Sequence, residues 1–408
     1  MNTIAKPVVL AGFILMIVMG IRQTVGLFVQ PIVAQGIIAQ GGASIVEISM
    51  AFAIGQLVWG LCQPIFGAWT DKGNAFKTLF VGALCLALGQ IATMWALSPG
   101  ELILTQGLLS PAGAAAGSFS ILIGIVAARI AADKRSVAGG FVNASGSIGQ
   151  FLFAPLVQMV MQLRDYRASL LMLAGSALLT IIPARLLCRI KLYNSAAQKQ
   201  EVNPESKPAD LLSRDGLREQ IGVALRDKSY LLLSAGFFTC GFHVAFLTTH
   251  LPGEAALCGH APGVAAAGLS IIGLSNIVGS IAVGYIGKHV RQKFILASTY
   301  ALRALIIVAY LFSAKTEMQF YLFSCAIGLT WLATVSPTAV LVGKLFGMRY
   351  LATLFGLAFL AHQIGAFFGA WLGGAAMQHI GNLDIMWIAD AALALMAALV
   401  NLPIKEKE

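Results

Sequence analysis

An arginine stands in the middle of a long apolar run, at Gly20-Ile21-Arg22-Gln23-Thr24-Val25-Gly26, with no acidic residue near it in sequence. The planar guanidinium grips a carboxylate through two parallel hydrogen bonds and keeps its charge. At the centre of an apolar helix it costs about 2.5–3.5 kcal/mol on insertion scales. That cost is met if the side chain faces an aqueous cavity and an incoming anion. The alternative is structural: an arginine bonded to carbonyls or hydroxyls of neighbouring helices. A second cation, Arg303, is also surrounded by apolar sequence, and Asp390 falls at a depth that it could reach. An ion pair between those two is expected. His243 and His250 are spaced to share one helical face with Thr239 and Phe246. Neutral imidazole can hydrogen-bond a substrate, and imidazolium can carry a coupling proton. His250, beside Leu251-Pro252, also fits as an outer-end cap. Trp331, with Thr334 and Thr338, and the pair His362-Gln363 complete the polar and aromatic candidates inside apolar runs.

The elements that carry these residues follow from composition. Of 408 residues, 58% are hydrophobic and 11% charged, and the mean hydropathy is +0.83. A soluble domain carries about 25% charged residues, so lipid is the solvent here. Twelve runs are long enough to span: 7–33, 44–70, 76–97, 102–129, 136–161, 167–190, 229–251, 262–287, 294–314, 318–343, 350–378 and 383–404. None alternates in the manner of a barrel strand. The expected fold class is an all-α membrane protein with twelve transmembrane helices. The first run is too long for a signal-peptide core and holds Arg22, which marks it as an uncleaved span. Ser44 followed by Glu47 reads as a capping box opening the second run.

With the N-terminus inside, nearly all of the 27 Lys and Arg fall in cytoplasmic segments; Arg164, Arg167 and Lys315 alone fall in outer loops. This asymmetry places both termini in the cytoplasm. The net charge of +10 thus reports topology, and no basic cluster comes with a nucleic-acid-binding motif. The six cysteines show no paired spacing, so neither disulfides nor a metal site is expected. No cofactor is expected either.

A polar segment, 191–228, divides the chain into an N-terminal unit, 1–190, and a C-terminal unit, 229–408, of six spans each. The halves echo one another. Ser147-Ile148-Gly149-Gln150-Phe151 resembles Gln363-Ile364-Gly365-Ala366-Phe367, and Gly67 resembles Gly284 at nearly the same offset. A duplicated six-helix unit follows, giving two pseudo-symmetric bundles with a site between them near midplane.

The loop after the second run, Gly67-Ala68-Trp69-Thr70-Asp71-Lys72-Gly73, resembles the G-x-x-x-D-[RK]-x-G signature of the major facilitator superfamily. The resemblance implies the major facilitator fold, a cavity lined by spans 1, 4, 7 and 10, and a gating latch built on Asp71 and Lys72. Spans 3, 6, 9 and 12 would be peripheral, which sets Arg303 away from substrate. The second copy, Gly284-Tyr285-Ile286-Gly287-Lys288, has Lys288 where the acid would fall. GIRQTVGLFVQPI, GFFTCGFHVAFLTTHLP and IGLTWLATVSPT resemble bacterial relatives of the monocarboxylate transporters and the oxalate:formate exchanger group. That resemblance implies a basic residue in span 1, matched by Arg22. It also implies an Asp and Arg in span 8, where this chain has Asn276 and Ser280.

The expected activity is secondary active transport of a small organic anion, monocarboxylate-like, by proton symport or anion exchange. Arg22, Gly26, Thr239, His243, Phe246, Trp331, His362 and Gln363 are the expected substrate contacts. Asp71, Lys72, His250, Asn276, Arg303 and Asp390 are the expected coupling or gating groups. The partners are the anion, protons and the lipid bilayer, with the protein as a monomer in a bacterial inner membrane. The alternative is a proton-coupled exporter of hydrophobic or cationic compounds, against which the central cation argues. A membrane sensor would need a soluble output domain, and an enzyme would need a nucleophile or metal cluster.

Overall fold

The structure is a computed structural model that describes residues 5–34, 44–96, 98–130, 135–191, 217–287, 289–347 and 351–406. Its 12 membrane-length helices are, as spans 1 to 12, Lys6–Ile32, Ile45–Trp69, Ala75–Thr93, Pro99–Val126, Ala138–Leu163, Tyr166–Arg189, Lys228–Leu257, Pro262–Ile286, Gln292–Leu311, Glu317–Phe346, Thr353–His379 and Asp384–Asn401. Hydrocarbon offers no hydrogen-bond partner, so each segment must satisfy its own backbone, and the helix does this. The fold is all-α. The ends are set by side chains: Ser44 with Glu47, Ser98 with Glu101 and Thr316 with Gln319 form reciprocal capping boxes. The Ser98 cap and Pro99 start span 4 earlier than the expected residue 102.

Within the first six helices span 1 packs on span 5, and span 3 on spans 4 and 6. Within the last six, span 7 packs on spans 11 and 12, span 9 on span 12, and span 8 on span 10. Glycine permits the tightest of these contacts. A Cβ on Gly241 of span 7 would strike the carbonyl oxygen of His362, and one on Gly365 of span 11 that of Phe238.

The two sets of six meet through spans 2 and 11, 5 and 8, and 1 and 7. These contacts run from mid-helix toward the end of the molecule opposite the chain termini. Val46 donates its N–H to Gln378, Ser270 Oγ donates to Phe151 O at 2.6 Å, and Gly374 packs on Ser49. Toward the termini the sets splay apart. Gly273 of span 8 packs against Phe151 and Ser147, whereas Gly284, on the same face about three turns on, meets nothing within 4 Å.

Spans 1, 4 and 10 are irregular, and each irregularity lies just before a proline. Span 1 tightens to a 3-10 turn over Val25–Phe28 ahead of Pro31. Span 4 widens to a π-helix over Ile103–Leu109 ahead of Pro111. Span 10 is helical over Glu317–Thr330, loses its helix at 331–334, and resumes over Val335–Phe346, which holds Pro337. Proline lacks an N–H and its ring crowds the carbonyl four residues back, which is Leu27, Gly107 and Ala333 respectively.

Candidate functional site

Arg22 lies in the last turn of the first helical segment of span 1, which gives way after Gln23 to the 3-10 turn. Its Nη2 donates to Gln56 Oε1 at 2.7 Å, and its guanidinium lies 3.9 Å from the centroid of the Trp59 ring. Both partners are on span 2, one helical turn apart, and both are neutral. The side chain is half-buried and lines a cleft with Gln56, Gln106, Ser110 and Phe52. Among the described residues no carboxylate lies within ion-pair distance of it. The cation is therefore oriented by a cation–π contact and one hydrogen bond, with donors left for a ligand. Behind it, Gln106 Nε2 donates to Thr93 Oγ1 at 2.8 Å, and Gln90 Nε2 to Ser110 Oγ at 2.8 Å. Gln56, Trp59 and Gln106 were not among the sequence candidates. Gln56, Trp59 and Gln63 recur on one face of an apolar helix, and that spacing was the available signal.

Gly26 sits beside this cleft but packs on the backbone of span 7, where a Cβ would strike Thr248 O. It is a helix crossing point.

The second group of polar residues lies within the last six helices. The expected Arg303–Asp390 ion pair does not form. Asp390 Oδ2 instead bonds His243 Nδ1 at 2.6 Å, with both side chains fully buried. Arg303, also fully buried, donates through Nη2 to the carbonyls of Thr330 (2.5 Å) and Trp331 (3.1 Å). The reason is the break in span 10. Unwinding at 331–334 frees those carbonyls from the helix ladder, and a guanidinium satisfies two of them at once. Asn276 of span 8 serves the same break from the other side, its Oδ1 accepting the N–H of Leu332 at 3.0 Å. Its Nδ2 donates to Ser147 Oγ of span 5 at 2.8 Å, and Ser280 Oγ donates back to its Oδ1. Asn276 thus ties the break to the first six helices. Pro337 was the signal for a break that a continuous apolar run concealed.

His250 is not an end cap: span 7 continues through Pro252 to Leu257, and His250 Nε2 bonds Ala370 O of span 11 at 2.7 Å. Phe246 packs edge-on against Trp387. Thr239 is fully buried, and its Oγ1 has no partner among the described residues. Trp331 is fully buried and edge-on to His243, with ring centroids 5.5 Å apart. His362 stacks on Phe359 at 5.0 Å, and Phe359 meets Trp59 edge-on at 5.3 Å. Gln363 is buried against Gly60 of span 2. The two groups are therefore joined by an aromatic series, Trp59–Phe359–His362, that starts beneath Arg22 and crosses between the halves.

The Asp71–Lys72 turn has a described backbone, in which Gly73 adopts φ 86°, a left-handed conformation suited to glycine. The side chains of Asp71 and Lys72, and all of Lys288, lie outside the described residues.

Comparison with known proteins fits this architecture. The sequence profile of the Major Facilitator Superfamily matches residues 8–370. The chain is 26% identical over 390 residues to monocarboxylate transporter 13 of Bos taurus, covering 92% of this chain and 87% of that protein. It is 24% identical over 382 residues to the oxalate:formate antiporter of Oxalobacter formigenes, covering 91% and 85%. The crystal structure of a D-xylose-proton symporter superposes with a TM-score of 0.75 at 12% identity, covering 99% of this chain and 98% of that one. This last likeness speaks to the fold alone.

Proposed function

The chain belongs to the major facilitator superfamily, and on that premise we propose that it carries a small organic anion, monocarboxylate-like, by alternating access. It is a multi-pass membrane transporter and not an enzyme. The observation that carries the anion reading is Arg22: a half-buried cation in a cleft, held among the described residues by Gln56 and Trp59. A carboxylate entering that cleft supplies a counter-charge that the described residues do not. The names of the relatives, a monocarboxylate transporter and an oxalate:formate antiporter, support the same cargo class. The irregular backbone in spans 1, 4 and 10 supports a site between the halves, because discontinuous helices lend free backbone groups and dipole ends to a ligand.

In this reading 1–190 and 229–408 are the two rocking bundles, joined by 191–228. The lysines and arginines on the termini side put that side in the cytoplasm. Closure opposite the termini then corresponds to a state open inward. Coupling is to a proton or to a counter-moving anion.

The test is uptake of labelled lactate, formate and oxalate by liposomes holding the purified protein, compared with Arg22→Ala and Arg22→Lys. Removing one charge-assisted pair costs about 1.5–3 kcal/mol, which is about 10- to 150-fold in transport efficiency. Arg22→Lys keeps the charge and loses the fork, so it falls between. Unimpaired anion uptake by Arg22→Ala overturns the reading.

A further inference from the structure

We propose that the buried His243–Asp390 pair is a proton-binding site, separate from the Arg22 cleft, which takes up one proton with each anion. The proposal rests on the anion-transport reading above and commits it to symport.

The geometry defines where the proton goes. With His243 Nδ1 donating to Asp390 Oδ2 at 2.6 Å, Nε2 is left with its lone pair. That nitrogen is buried without a hydrogen-bond partner among the described residues, and so is Asp390 Oδ1. An orphaned buried polar atom costs about 1–3 kcal/mol, so a pair serving only to pin span 7 to span 12 gains nothing from an open Nε2. A proton arriving from water binds there and leaves by the same lone pair, with no other bond made or broken.

Charge balance ties this proton to the cargo. Arg303 of span 9 acts on His243 through space, Cys240 lies one turn back on span 7, Tyr300 lies beside Arg303, and span 11 brings His362. Span 10 meets the His243 ring with Trp331, which does not ionise. With Asp390 ionised, Arg303 charged and His243 neutral, the cluster sums to zero. A proton on Nε2 leaves one net positive charge in a low-dielectric interior, which is unfavourable alone. A carboxylate carried at Arg22 brings the opposite charge, and by linkage whatever it does for proton binding the proton does for anion binding by the same factor.

The pair is also in contact with the irregular part of span 10. The His243 ring abuts Trp331, whose carbonyl is one of the two that Arg303 holds at the break of span 10. Charging the imidazole beside that guanidinium weakens the hold on the break. Span 8 carries no acid or base at mid-helix, where Asn276 and Ser280 bond one another.

The experiment uses full-length protein in liposomes with labelled formate, lactate and oxalate in two assays. One is accumulation driven by a pH gradient, alkaline inside. The other is counterflow at equal pH, in which the loaded carrier returns loaded and releases no proton. For His243→Gln and Asp390→Asn, gradient-driven accumulation is expected to fall by at least about tenfold, with counterflow within about threefold of wild type. Retained counterflow shows that the variants fold. Gradient-driven accumulation at wild-type level in both variants overturns the proposal. So does joint loss of both assays in both variants, which makes the pair structural. A wild type that exchanges anion but ignores the pH gradient overturns the proposal and leaves the anion reading standing. A wild type inactive in counterflow with all three probes removes the anion reading, and the proposal with it.

Discussion

The bond between Asn276 and Ser147 separates two jobs that one asparagine performs, and substitution can weigh each. Asn276 Nδ2 donates to Ser147 Oγ across the two sets of six helices, and its Oδ1 accepts the Leu332 N–H within the second set. Ser147→Ala removes only the first bond. A net hydrogen bond is worth about 0.5–1.5 kcal/mol, so the equilibrium toward opening of the closed end shifts by about 2- to 13-fold. Asn276→Ala removes that same bond, leaves the half-buried Leu332 N–H without its acceptor and frees Ser280 Oγ, at about 1–3 kcal/mol of stability. The orphaned N–H lies within one set of helices, so its cost is common to both conformations and does not gate. The assay is maleimide labelling of a cysteine placed at Ala53, which is buried among Ala245, Ala366 and Ala370 at the closed interface, in a background without the native cysteines. Both variants should speed labelling by the same factor, while only Asn276→Ala lowers the thermal midpoint by the larger amount. Labelling that is unchanged in Ser147→Ala but faster in Asn276→Ala refutes the reasoning, since gating would then run through the span 10 break.

Two other outcomes follow from packing and charge. A methyl group at Gly365 strikes the backbone of span 7, so Gly365→Ala should destabilise by about 1–3 kcal/mol. Gly284→Ala, with open space around it, should be neutral or slightly stabilising; equal thermal shifts in detergent would contradict this. At the chain's far end Glu406 accepts N–H bonds from Gln292 and Lys293 at the start of span 9 and an ammonium bond from Lys344 at 2.9 Å. Burial alone would raise its carboxyl, but Lys344 and the two N–H groups outweigh it and hold the carboxyl below the usual range. A depressed folded value means stability that is present above the unfolded value, about 4.3, and lost as pH falls through the folded one. The midpoint difference between wild type and Glu406→Gln should therefore be full near neutral pH and vanish in acid. A difference that persists there rejects the assignment.

How much could be read before folding differs from residue to residue. The twelve spans and the all-α class were legible because a bilayer leaves the backbone one economical solution, and run length with charge content reports it. The Ser44–Glu47 cap was legible because its partners are local in sequence. Arg22 stood out because its cost is a property of solvent and residue type, whatever the neighbours are. Partners could not be read in the same way. Asp390 and Arg303 lie at matching depth, yet their pairing depends on how each helix is rotated about its axis, which only packing sets. Span 12 turns Asp390 toward His243, and span 9 turns Arg303 toward span 10. Arg303 finds acceptors there because span 10 unwinds, and Pro337 marks such a site without naming what will fill it. Gln56 and Trp59 became the setting for Arg22 for a similar reason: they are distant in sequence and meet it only where spans 1 and 2 cross. Local chemistry and the demands of the solvent were thus written along the chain. The choice of partner for each buried charge was made by helix rotation, and rotation is decided by every contact at once.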